Sequence, residues 1–129
     1  MMAVVAHSRK RLALVSGDLM FRSQLAAALR TTGAALEAFT GHEVPDREFD
    51  TTFVDLNADT PHRLGLIARL REAYPGMEIV CFCHHAEDEL RVQAMRLGAS
   101  SCITNGALRS VALRLAGKRT VQAAGPSGD

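Results

Sequence analysis

A chain of 129 residues, 47% of them hydrophobic and 22% charged, is long enough for one domain built around one core. Fifteen basic residues against fourteen acidic ones leave a net charge of +1, which excludes capture of nucleic acid or anionic lipid by bulk electrostatics. No apolar run approaches the roughly 20 residues of a membrane-spanning helix, and Ser8, Arg9 and Lys10 interrupt the amino terminus before a signal-peptide core develops, so a cytoplasmic location is expected.

In chain order, Arg11 to Ser16 reads as a strand, and Gly17-Asp18 turns it into a helix with Phe21, Leu25, Ala28 and Leu29 on one face and Gly33 at its end. Ala34 to Phe39 is a second strand. The stretch from Thr40 to Phe49 holds Gly and Pro and is too short for an amphipathic helix with its loops, so a loop or a single turn is expected there, with an apolar groove left open on that side of the sheet. Asp50 to Leu56 reads as a buried central strand ending on the carboxylate of Asp55.

Thr60 suits the N-cap of the next helix, with Pro61 at its first position; Leu64, Ile67, Ala68 and Ala73 form its core face, and Pro75-Gly76 stops it. Met77 to Cys83 is a fourth strand. Glu87 to Leu97 is a helix with Leu90, Ala94 and Leu97 in register, closed by Gly98, and Ser100 to Thr104 is a fifth strand. Leu108, Val111, Ala112 and Leu115 mark the last helix. Strands alternating with helices predict an α/β fold of three layers, a doubly wound five-stranded parallel sheet with the second helix short or missing. The folded domain is expected over residues 10–117, with residues 1–9 and 118–129 as flexible ends or linker.

Phe53-Val54-Asp55, Ile79 to Cys83, and Leu97-Gly98-Ala99-Ser100-Ser101-Cys102-Ile103-Thr104-Asn105 give the chain a likeness to a known family. It resembles the receiver domain of response regulators, the CheY-like family, over residues 10 to 117. The 22 positions from Cys83 to Asn105 and the gapless run from Val15 to Gly33 are similar to the receiver pattern.

The resemblance implies that Asp55 is the phosphoacceptor candidate. Receivers hold Mg²⁺ with that Asp, an acidic pair after the first strand, and the backbone carbonyl two residues past the Asp, here that of Asn57. The acidic-pair positions look like Ser16 and Gly17, which supply a weak hydroxyl and nothing. Asp18, one position further on, is a misplaced carboxylate. The family's phosphoryl-pairing Lys is replaced by Asn105, and its switch hydroxyl by the thiol of Cys83. These departures imply an atypical, degenerate receiver with no cofactor, Mg²⁺ entering only if Asp55 is phosphorylated.

The expected function is therefore protein–protein interaction or dimerisation in bacterial signal transduction, independent of phosphorylation. In receivers the usual dimer face is the fourth helix, fifth strand and fifth helix, here around Leu90, Ala94, Leu97, Leu108, Arg109 and Val111. Degenerate receivers of this kind sit at the front of larger proteins such as TadZ/CpaE-type pilus-localisation factors. A working phosphorelay receiver modified on Asp55 is the first alternative.

Cys81, Cys83, His84 and His85 carry the second alternative, a thiol or metal sensor. Ligands so compressed on one extended strand cannot surround a tetrahedral ion, so no metal is expected, and three cysteines, an odd number, read as reduced thiols. Arg109, Arg114, Lys118 and Arg119 make the last helix basic, which a solvated face explains. No Gly-rich phosphate loop, Ser-His-Asp spacing or carboxylate pair placed for acid–base work occurs, so neither an enzyme nor direct contact with nucleic acid or membrane is expected.

Overall fold

The computed structural model describes residues 9–40, 44–84 and 88–117. His85, Glu87, Lys118 and Arg119, and the expected flexible ends at 1–8 and 118–129, lie outside the described residues. The elements run β1 Arg11–Val15, α1 Leu19–Leu29, β2 Ala35–Phe39, β3 Thr51–Asp55, α2 Thr60–Ala73, β4 Glu78–Cys83, α3 Asp88–Leu97, β5 Ser101–Thr104, a 3₁₀ turn Asn105–Ala107 and α4 Leu108–Gly117. All pairings are parallel, in the order β2-β1-β3-β4-β5. This is the doubly wound α/β sheet that the alternation of apolar runs predicts.

Side chains alternate across the strands and so feed two separate cores. Leu12, Leu14, Phe53, Val80 and Phe82 pack with Leu25 and Leu29 of α1 and with Leu108, Ala112 and Leu115 of α4. Ala13, Val15, Val54, Ile79, Cys81 and Cys83 pack with Leu66, Ile67 and Leu70 of α2 and Ala94 of α3. β3 is buried at all five positions, as a central strand covered on both faces must be.

No helix occupies residues 44–50, the described part of the segment between β2 and β3. An open cleft of about 490 Å³, lined by Glu37, Ala38, Phe39, Val44, Asp46 and Arg47, lies on that side. Next to it Phe49 meets Phe39 edge to face at 5.9 Å between ring centroids, Pro45 is buried, and the guanidinium groups of Arg11 and Arg47 lie 5.3 and 5.0 Å from the Phe49 ring. Arg47 also pairs with Glu37 on β2. Phe49 and the Arg47–Glu37 ion pair thus cover part of the area that a helix would otherwise cover.

Two expectations for α2 are corrected. Thr60 is the first helical residue rather than the N-cap: Asp59 precedes the helix with φ of 53°, and the Thr60 hydroxyl donates to the Leu56 carbonyl at 2.9 Å, tying the helix start back to β3. The buried face is Arg63, Leu66, Ile67 and Leu70, with Leu64 only packed against the core and Ala73 exposed. Apolar residues surround this helix, so their spacing does not fix its phase.

Arg71 fastens the other end of α2. Its guanidinium donates to the carbonyls of Gly98, Tyr74, Pro75 and Met77 and to the Ser100 hydroxyl, at 2.7–3.3 Å. Gly98 ends α3 at φ 120°, where a Cβ would stand 2.6 Å from Arg71 Cγ, so glycine is required by both backbone and space.

Candidate functional site

In an open parallel sheet the chain leaves β1 in opposite directions toward β2 and β3, and the crevice at the carboxyl ends of these strands is where such folds present functional groups. Ser16, directly after β1, and Asp55, the last residue of β3, meet there. Both are buried.

The Ser16 hydroxyl donates to Asp55 Oδ2 at 2.6 Å. Asp55 Oδ1 accepts from the backbone N–H of Asn57 at 2.8 Å and from its Nδ2 at 2.7 Å. Asn57 and Asn105 are joined by reciprocal amide hydrogen bonds. A chain of four side chains therefore runs from the end of β1 through β3 to the residue after β5. It brings together Ser16, Asp55, Asn57 and Asn105 of the expected site.

Gly17 and Asp18 stand apart from it. Gly17 is exposed and a Cβ there would touch nothing. Asp18 does not turn into the pocket: its Oδ1 accepts from Met20 N–H at 2.8 Å and caps α1, while its own N–H donates to Ser16 Oγ at 3.1 Å.

Arg63, which the sequence reading passed over, is buried under the same crevice. Its Nη1 donates to the carbonyls of Val15 at 3.2 Å and Asp55 at 3.0 Å, the last carbonyls of two neighbouring strands. A fixed guanidinium thus serves strand ends that water would otherwise have to reach. Only the spacing to Leu66, Ile67 and Leu70 could have marked this arginine as inward-facing.

Cys83 lies beside the crevice, at the wall of an open cleft of about 460 Å³ shared with Asn57, Thr60, His84, Leu90 and Gln93. Cys81 and Cys102 are directly paired across β4 and β5, and all three cysteines are buried and outside any disulfide. Hydrogen bonds from Cys81 and then Cys83, with the charge of Arg91, lower the Cys102 thiol to about 6 against the opposing effect of burial. Its hydrogen-bonded neighbour Cys81 is pushed up by sharing that proton and by burial. No group of three or more His, Cys, Asp or Glu among the described residues is arranged to hold a metal ion.

Of the expected interaction face, Ala94 and Leu108 are core residues and Leu90 and Val111 are partly buried; Arg109 and Leu97 are exposed. Ala94 and Leu108 therefore support this face from beneath rather than form it. Val92 and Met95 of α3 are exposed, 45% and 43%, and were missed because the sequence reading followed the inward face of the helix.

No family model matches the sequence, and no curated protein matches it. Solved structures do. A response regulator from Burkholderia pseudomallei, crystallised with a phosphorylated aspartic acid, calcium and citrate, is 24% identical, with a TM-score of 0.70 over 82% of this chain. A CheY-like receiver domain from Methanospirillum hungatei is 19% identical, with a TM-score of 0.69 over 84% of this chain and 94% of its own. The chain has the CheY-like receiver fold. A protein from Burkholderia pseudomallei described as pilus assembly-related is also similar, 16% identical with a TM-score of 0.65 over 89% of this chain and 95% of its own. The chain spans 65% of the length of the first of these structures.

The divalent cation that the receiver fold implies requires several oxygen lone pairs in near-octahedral array. The residues present do not fit it. Ser16 and Asn57 turn donor hydrogens toward Asp55, and the Asp18 carboxylate is engaged on Met20. No helix among the described residues is long and apolar enough to cross a membrane.

Proposed function

We propose that this chain is a degenerate receiver that acts in two-component-type signalling as a protein-binding module, pairing with a second copy or a regulator independently of phosphorylation. The observation that carries this reading is the state of Asp55, whose two oxygens are both occupied by donors from its own chain, Ser16 on one side and Asn57 on the other. A phosphoacceptor carboxylate needs an oxygen directed at the donor and a cation near the charge that develops. Here Oδ1 accepts two hydrogen bonds and Oδ2 one, each holding the carboxylate in place, and the guanidinium of Arg63 is directed to backbone carbonyls.

With the chemistry withdrawn, what remains is a folded surface. Val92, Met95 and Leu97 on α3 offer exposed apolar area, and Arg109 and Arg114 are exposed on α4, Arg109 beside Gln24, Ala27 and Ala28 of α1. Receiver folds generally act as signalling modules. The likeness to a pilus assembly-related protein favours a role as one part of a larger assembly.

Size-exclusion chromatography with light scattering tests the reading. Association is expected to be the same for the wild type and Asp55→Asn, with or without acetyl phosphate and Mg²⁺, and to weaken in Met95→Asp. A shift that needs the phosphodonor and disappears in Asp55→Asn would support a working phosphorelay receiver instead.

A further inference from the structure

The three cysteines lie in one layer between the sheet and α3, in the core that also holds Leu90 and Ala94. Their register separates them. Cys81 stands directly opposite Cys102, whereas Cys83 stands opposite Thr104. Adjacent strands are about 4.8 Å apart, inside the roughly 4.4–6.8 Å of Cα separation that a disulfide spans. Cys83 is displaced from Cys102 by two residues of register, although its thiol reaches the Cys102 sulfur. Cys81 and Cys102, directly opposite each other, are the pair whose backbones are best placed to join.

We propose that Cys81 and Cys102 form a dithiol that a peroxide oxidises to a disulfide linking β4 to β5. Cys102 is the attacking group. It lies under Arg91, whose Nη1 donates to the Cys102 carbonyl, and its thiolate is the favoured one of the pair. Cys81, donating to the Ser101 carbonyl at 3.4 Å, keeps its proton until the second step. The cleft lined by Asn57, Cys83 and His84 reaches the Cys83 end of this layer.

In the first step the Cys102 thiolate attacks one peroxide oxygen, the O–O bond breaks, and hydroxide leaves to take up the proton that Cys102 released. Cys102 is then a sulfenic acid. In the second, the Cys81 sulfur attacks the Cys102 sulfur, the S–O bond breaks, and the departing hydroxide leaves as water with the Cys81 proton. Two thiols are oxidised by one electron each, and one peroxide is reduced to two waters.

The linkage would act where the fold can read it. β5 runs from Cys102 to Thr104 and into Asn105, which closes the hydrogen-bond chain on Asn57 and Asp55. On the other side the thiol layer supports α3, which carries the exposed Val92 and Met95. A bond between the strands alters the packing under both. This inference does not rest on the reading of Asp55, and its test is separate from it.

The full-length native protein is treated with a small excess of hydrogen peroxide, then denatured, alkylated and digested with trypsin, which cuts after Arg91 and Arg96 and so separates Cys81 from Cys102. The expected product is a peptide pair linked through Cys81 and Cys102 with the loss of two hydrogens and with Cys83 alkylated. The same pair is expected in Cys83→Ser, and none in Cys102→Ser. Recovery of Cys81 and Cys102 as alkylated thiols in the wild type overturns the proposal, as does a link through Cys83 or oxidation of Cys102 to sulfinic acid alone.

Discussion

Asn57 and Asn105 exchange two hydrogen bonds across the mouth of the site, the Nδ2 of each donating to the Oδ1 of the other at 3.0 and 3.2 Å. The family's lysine at this position would leave a cation over the crevice. An asparagine instead closes the β3–α2 loop onto the end of β5. The pair is solvent-exposed, so it fixes geometry more than it adds stability.

Asn57→Ala removes this pair and one of the two donors on Asp55 Oδ1, while the backbone N–H at position 57 still serves that oxygen. A loss of about 1–2 kcal/mol is expected, against about 0.5 kcal/mol for Asn105→Ala, which leaves Asp55 untouched. Urea unfolding midpoints at constant slope check the order of the two variants. Equal losses would mean that the Asn57 side chain does not hold Asp55.

Arg63 is a buried guanidinium that makes two hydrogen bonds to carbonyls and leaves its Nε without a partner. Arg63→Ala orphans the Val15 and Asp55 carbonyls and opens a cavity, at a cost of about 3–5 kcal/mol. Arg63→Met keeps most of the volume and removes the unpaired Nε, and is expected to cost about half as much. Thermal unfolding of both variants decides the matter, and a neutral Arg63→Ala would contradict the placement of Arg63 under the strand ends.

Gly98→Ala forces a side chain onto φ 120° and into Arg71, at 2.6 and 2.7 Å from its Cγ and Cβ. Gly33→Ala meets an unfavourable φ of 80° in open space. The first is expected to cost about 2–4 kcal/mol and the second about 1 kcal/mol, because only the first also displaces a guanidinium that holds five acceptors. Melting temperatures of the two variants, compared side by side, give the test.

Much of this fold is legible in sequence because its signals are local. β4 is apolar from Ile79 to Cys83, Phe53 and Val54 precede Asp55 in β3, Leu25, Ala28 and Leu29 recur at helical spacing, and Gly98 and Pro75-Gly76 stop helices where they stand. What was missed depends on contacts distant in the chain. An arginine reads as exposed until α2 is seen against the ends of β1 and β3. The pairing of Cys81 with Cys102 is a matter of register, and the packing of Phe49 on Phe39 is a matter of tertiary contact. The residues of the Asp55 site could be named from the resemblance. Their hydrogen-bond directions could not, and these bear most directly on whether the carboxylate can react.

Asp55, held by Ser16 and Asn57, is expected to take up no phosphoryl group. Incubation with acetyl phosphate and Mg²⁺ at neutral pH, followed by intact-mass measurement under conditions that preserve acyl phosphates, tests it most directly. An unchanged mass, the same as for Asp55→Asn, is expected; a phosphoryl adduct on the wild type that is absent from Asp55→Asn would show instead that Asp55 is a working phosphoacceptor.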